Sequence, residues 1–74
     1  MKIVLNKKEK LIYLLLFSTK NDFDINIQDF CHADNRSQFR EEIRIIVKKG
    51  GIEIVEDRIT HRDDAVIWKL QVKR

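Results

Sequence analysis

The chain's only two glycines stand side by side at Gly50-Gly51, there is no proline, and the apolar pattern changes period across the pair. Before it, apolar residues recur at helical spacing. After it they alternate. The pattern predicts mainly helices before the pair and strands after it, which is an α+β arrangement.

The helical side divides further. Asn6 followed by Glu9 is a capping-box signature and starts a helix over residues 7–18. Its centre, Leu11-Ile12-Tyr13-Leu14-Leu15-Leu16-Phe17, is apolar around the whole circumference, unlike the single stripe of an ordinary surface helix. Such a helix is either central to the fold or shared with a second subunit. Residues 18–24 are polar and turn-like. Asn26 then caps a short helix over 27–33, in which Ile27, Phe30 and Cys31 share a face. Ala33-Asp34-Asn35 breaks it. Asn35 or Ser37 caps a third helix to about residue 49, with Phe39, Ile43, Ile46 and Val47 inward and Ile45 off the stripe. Lys48 and Lys49 suit its carboxyl end, and Gly50 is expected to be its left-handed terminator.

Beyond the glycines, residues 52–59 and 65–72 read as two strands. Val66, Trp68, Leu70 and Val72 lie on one face, and the polar loop 60–64 closes a β-hairpin. A short extra strand is expected at 23–26 or at the N-terminus, where residues 2–5 form a strand or an arm. The whole chain, residues 1–74, reads as one domain.

Size and composition exclude several classes. Seventy-four residues with a single cysteine cannot be stapled by an internal disulfide, so an apolar core must hold the fold, and at 43% apolar content there is material for one. No secretory leader is visible, and the longest apolar run is far below the ~20 residues of a membrane span. These features point to the cytoplasm. Phosphate loops, nucleophile elbows, metalloprotease helices and dinucleotide fingerprints are missing, so no enzyme activity, cofactor or small-molecule substrate is expected. Cys31 and His32 are neighbours that point apart on a helix, a poor metal pair, and no zinc spacing exists. Cys31 reads as a small core residue, His32 as an exposed turn residue, Tyr13 as core or interface and Trp68 as the plug of the hairpin core.

A short helix, a tight break and a longer helix make a helix-turn-helix. With Ile27-Gln28-Asp29-Phe30-Cys31-His32-Ala33, then Asn35-Arg36-Ser37-Gln38-Phe39-Arg40, then Ile43, Ile46 and Val47, the Lys49-Gly50-Gly51-Ile52 junction and the hairpin, nearly the whole chain resembles the winged helix-turn-helix family of DNA-binding domains. It departs from that family in having Asp34 or Asn35 at the break where many members have glycine, and in Glu41 and Glu42 on the third helix.

The resemblance implies binding to double-stranded DNA. An α-helix about 10–12 Å wide fits the ~12 Å major groove. Arg36, Ser37, Gln38, Arg40 and Glu41, near the helix start, would then meet base edges. Arg40, Arg44 and Lys48 recur every four residues as a basic stripe away from Phe39, Ile43 and Ile46. By the same resemblance the hairpin brings Arg58, His61 and Arg62 to phosphate or the minor groove, while Lys7, Lys8 and Lys10 reach phosphate.

Against this, a charge stripe is often only a solvated face, and Arg44 has Glu41 within pairing distance on the helix. Glu41, Glu42, Asp63 and Asp64 all oppose phosphate. The net charge of +3 permits a nucleic-acid partner without demanding one. The expected role is a small transcriptional regulator of a microbe, phage or mobile element. So small a reader is expected to work as a homodimer, through the helix at 11–17 and the N-terminal segment. The alternative is a winged-helix module that docks on a larger assembly without touching DNA. The DNA reading needs the arginines of the third helix to face outward while its isoleucines face in.

Overall fold

The computed structural model describes residues 4–74 as a two-helix, three-stranded α+β fold. Helix α1 spans Lys7–Phe17, strand β1 Asp22–Asn26, helix α2 Arg36–Lys49, and strands β2 and β3 Glu53–Arg62 and Ala65–Lys73. The antiparallel sheet has the order β1-β3-β2, so the last strand lies in the middle.

One face of this sheet carries the core. Phe23 and Ile25 of β1 stand opposite Leu70 and Trp68 of β3, and both pairs are buried. Phe39, Ile43 and Val47 of α2 and Leu11 and Leu15 of α1 complete the layer above them. Every buried side chain in this cluster is apolar, so burial itself is the main stabilising term.

The start of α1 follows its sequence signal. Asn6 Oδ1 accepts from the Glu9 amide at 2.8 Å, and Glu9 Oε1 accepts from the Asn6 amide at 3.0 Å. The end of α2 departs from the expectation by one residue. Gly50 keeps a negative φ, and Gly51, at φ +79°, takes the left-handed conformation. The amides of Gly51 and Ile52 donate back to the carbonyls of Lys48 and Val47 at 3.0 and 3.2 Å, so the two glycines and Ile52 close the helix as a Schellman motif. Ile52 and Val47 are both buried, the apolar contact this motif favours. Gly50 is different, since a Cβ there would sit 2.7 Å from Cδ2 of Leu16 in α1, a side-chain end that would have to shift to admit it. Nothing lies near the missing Cβ of Gly51, so Gly51→Ala isolates the backbone term. It is expected to cost about 1–2 kcal/mol, seen as a melting temperature lower by several degrees. An unchanged melting curve would show that the left-handed turn is not needed.

The expected second helix at 27–33 does not form. A 3-10 turn at Ile27–Asp29 and another at Ala33–Asn35 replace it, leaving two α-helices where three were expected. The cause is local. Strand β1 runs to Asn26 and buries Ile27 completely, so only a few residues remain before His32, whose extended backbone (ψ 163°) stops propagation. One turn cannot offset the cost of helix nucleation. Asn26 caps this turn through the Gln28 amide, 3.3 Å, and Phe30 stacks on Phe39 with ring centroids 5.5 Å apart. Asn35 precedes α2 but makes no side-chain cap bond, and Ser37 lies inside the helix.

The expected five-residue loop at 60–64 is also shorter. β2 and β3 pair out to Arg62 and Ala65, leaving Asp63-Asp64 as a two-residue turn with Asp63 at φ +47°. Asp is among the few residues that tolerate this region, so the strands can extend to the tip. Of the N-terminal arm or strand expected at 2–5, residues 2 and 3 lie outside the described residues, and Val4 and Leu5 belong to no strand. No helix among the described residues is long and apolar enough to cross a membrane.

Candidate nucleic-acid interface

Helix α2 turns Phe39, Ile43 and Val47 into the core, which sets the direction of every other side chain on it. Arg36, Arg40 and Arg44 form an i, i+4, i+8 row along the flank of that buried stripe, on the side of β2. Ser37, Gln38, Glu41, Ile45 and Lys48 occupy exposed positions.

A β-bulge decides what the arginines meet. Ile54 pairs with Val72 and Glu56 with Gln71, so Val55 is the extra residue in β2. Simple alternation from Ile54 would put Glu56 and Arg58 on the core side. The inserted residue shifts the pattern, so that Asp57, Ile59 and His61 stand opposite Leu70, Trp68 and Val66 on that side instead. Ile54 and Ile59, an odd number of residues apart, therefore both pack against the core.

Asp57 is thereby aimed at α2. Its Oδ1 accepts from Arg40 Nη2 at 2.7 Å and from the Trp68 indole N–H, and its Oδ2 accepts from Arg44 Nη1 at 2.7 Å. The Arg40 guanidinium also lies over the Trp68 ring, 5.6 Å from its centroid. Arg44 uses its other terminal nitrogen on Glu41 at 2.8 Å. Side-chain exposure is 23% for Arg40, 25% for Arg44 and 20% for Asp57. Burial pushes the Asp57 carboxyl up, but the hydrogen bonds from Arg40, Arg44 and Trp68 outweigh it and hold the group below the ordinary carboxylate value. The bonds to Glu41 and Asp57 raise Arg44 above the usual arginine value.

The outward basic stripe expected from Arg40, Arg44 and Lys48 is therefore not what α2 presents. Two of its three cations face the hairpin and are balanced by Asp57 and Glu41; of the three, Lys48 is the exposed one. Arg36 is half-buried, its Nε enclosed without a hydrogen-bond partner, as is Nε of Arg40. Glu42 is held by Lys8 of α1 at 2.6 Å. Lys7 and Lys10 are exposed at the start of α1.

The hairpin residues divide between two faces. His61 lies on the α2 side of the sheet. Arg58 and Arg62 point to the opposite, uncovered side, where they surround Thr60, Ile67, Lys69 and Asp24. Arg58 pairs there with Glu56 at 3.0 Å. The structure thus gathers Arg36, Ser37, Gln38, Arg40, Glu41, Arg44 and Lys48 on α2, puts His61 on the same side of the sheet near the hairpin tip, and separates Arg58 and Arg62 from them.

Asp57 escaped the sequence reading. Its signal was present in the odd spacing of Ile54 and Ile59, which can share a face only if one residue between them is extra. Among the described residues no group of three or more His, Cys, Asp or Glu side chains is placed to hold a metal. Cys31 is half-buried against the core, and Trp68 is its fully buried plug.

No family model matches the chain, and no curated protein or solved structure does so either.

Proposed function

We propose that this protein is a winged helix-turn-helix domain that binds double-stranded DNA, with α2 as the helix that enters the major groove and the β2–β3 hairpin as the wing. The observation that carries this reading is the way α2 and the hairpin are joined. The Asp57 contacts to Arg40, Arg44 and Trp68 tie helix and wing together, which suits a surface that must meet the shape of a duplex with both parts at once. The order of elements fits in part: the longer helix followed by a hairpin is kept, while two 3-10 turns stand where the first helix of the motif was expected.

The outward arginines on which the sequence reading rested are not found, since Arg40 and Arg44 are tied to Asp57 and Glu41, so the reading stands on the remaining exposed residues of α2 and on the joined wing. Ser37 and Gln38, exposed at the first turn of α2, are the base-reading side chains, with Arg36 beside them. Lys48 and Lys7 are the phosphate contacts. Arg40 and Arg44 chiefly position the wing, although a guanidinium has five N–H donors and each keeps some not used on a carboxylate.

The charge balance of the arginine row specifically favours the second reading, a docking module that binds another protein. A salt series with random and selected duplexes separates the two. DNA binding gives log affinity falling with log salt by about 0.9 per phosphate neutralised. Gln38→Ala then weakens preferred sites about tenfold while sparing random ones, and Lys48→Ala weakens both alike and reduces the slope by about one. Binding that is absent or indifferent to salt, with neither substitution having an effect, overturns the DNA reading in favour of the docking module.

A further inference from the structure

We propose that the outer face of α1 docks on the same face of a second copy of this chain, the two helices running antiparallel about a two-fold axis near Tyr13 and Leu14. α1 buries only Leu11 and Leu15 fully. Tyr13, Leu14 and Phe17 remain 57%, 50% and 70% exposed, and the Tyr13 and Phe17 rings touch each other along the outside with centroids 5.1 Å apart. Three large apolar side chains open to water on eleven residues form a patch that a monomer has little reason to carry.

Charge placement selects the occupant and its direction. Lys7, Lys8 and Lys10 outnumber the single acidic residue, Glu9, in the first turn of α1, the positive end of the helix dipole, while the last turn has no basic residue. Lys8 is engaged by Glu42, which leaves Lys7 and Lys10 at the unfavourable end. An antiparallel copy corrects this for both chains. Each Lys10 comes over the partner's Phe17 ring and towards the partner's carboxyl-terminal carbonyls. A parallel copy would stack lysine on lysine.

Area sets the strength. A buried aromatic side chain contributes roughly 150–250 Å², so the open portions of Tyr13 and Phe17, with Leu14 and the flanking polar rows, supply about 500–600 Å² per copy. The total, about 1,000–1,200 Å², lies at the lower edge of specific interfaces, which indicates a weak, concentration-dependent dimer. This inference does not depend on DNA binding, and the two can fail separately.

Sedimentation equilibrium of the full chain from about 1 µM to about 1 mM tests it. The apparent mass is expected to approach twice the monomer value across that range, and Phe17→Glu, at an exposed position that leaves the core intact, is expected to remain monomeric throughout. Orientation is read by oxidative cross-linking. Tyr13→Cys brings two thiols together at the axis and forms a disulfide-linked dimer. Lys7→Cys does not, because a six-residue offset on each helix separates the two positions by roughly 18 Å. A mass that stays monomeric to the top of the range overturns the proposal and leaves the face to a different partner. So does a dimer that survives Phe17→Glu, or cross-linking through Lys7→Cys and not Tyr13→Cys.

Discussion

Trp68→Ala is expected to leave the chain largely unfolded at 37 °C. Trp68 is fully buried in the central strand, opposite Ile25 on one side and Ile59 on the other, and meets Phe39 of α2 edge-on with centroids 6.3 Å apart. Truncating so large a core residue costs about 3–5 kcal/mol. At 0.05–0.15 kcal/mol per residue, a chain of this length has only about 4–11 kcal/mol in all. Circular dichroism against temperature should show the transition lost or lowered by more than about 15 °C. Trp68→Phe separates the ring from its N–H. It keeps most of the packing, removes one donor from Asp57, and is expected to lower the transition by only about 5–10 °C. A Trp68→Ala protein that melts within a few degrees of the parent would refute the assignment of Trp68 as the keystone between sheet and α2.

The second large effect is expected at Asp57. Asp57→Ala removes the carboxylate shared by Arg40 and Arg44 and leaves two cations close together on a half-buried flank. Breaking a fully buried pair costs about 3–5 kcal/mol. Here about a fifth of each side chain is still wet, which reduces the expected loss to about 2 kcal/mol. The pH dependence is specific. Because the folded protein holds this carboxyl below its ordinary value, its contribution is fully present above the unfolded value near 4 and is lost as the pH falls through the lower, folded one. Urea unfolding should therefore give a constant gap between parent and Asp57→Ala from about pH 5 to pH 8, narrowing in acid below about pH 4. A gap that widens in acid would mean that Asp57 is not the charged acceptor of the two arginines.

Where the sequence was legible, a single residue type had a single physical use. Asn6 and Glu9 form a reciprocal cap in almost any context, and the alternation from Val66 to Val72 admits one buried face. The Gly50-Gly51 pair marked the switch from helix to hairpin, although which glycine goes left-handed follows from where the Schellman hydrogen bonds of Gly51 and Ile52 close the helix. Residues 27–33 misled because Ile27, Phe30 and Cys31 have helical spacing but are placed by contacts with β3 and Phe39 that local propensity does not contain. The basic stripe of Arg40, Arg44 and Lys48 misled in the same way. Its period showed that the three side chains share a face, and only the position of an acidic residue on a distant strand determined what that face meets. For α1, apolar character all round was plain from sequence, while the division into a buried and an open side required the sheet beneath it.

The extra residue in β2 has a mechanical consequence. It acts as a phase shifter between two lengths of one ribbon, since the stretch below Val55 and the stretch above it count sides independently. A variant lacking Val55 would join Ile54 directly to Glu56 and keep every pairing with β3, so Asp57, Ile59 and His61 would stay beneath the helix and only the local kink would go. The opposite change, keeping Val55 but pairing it with Gln71 as in a regular ladder, is the one that would roll Ile59 out to solvent and swing Arg58 under the helix.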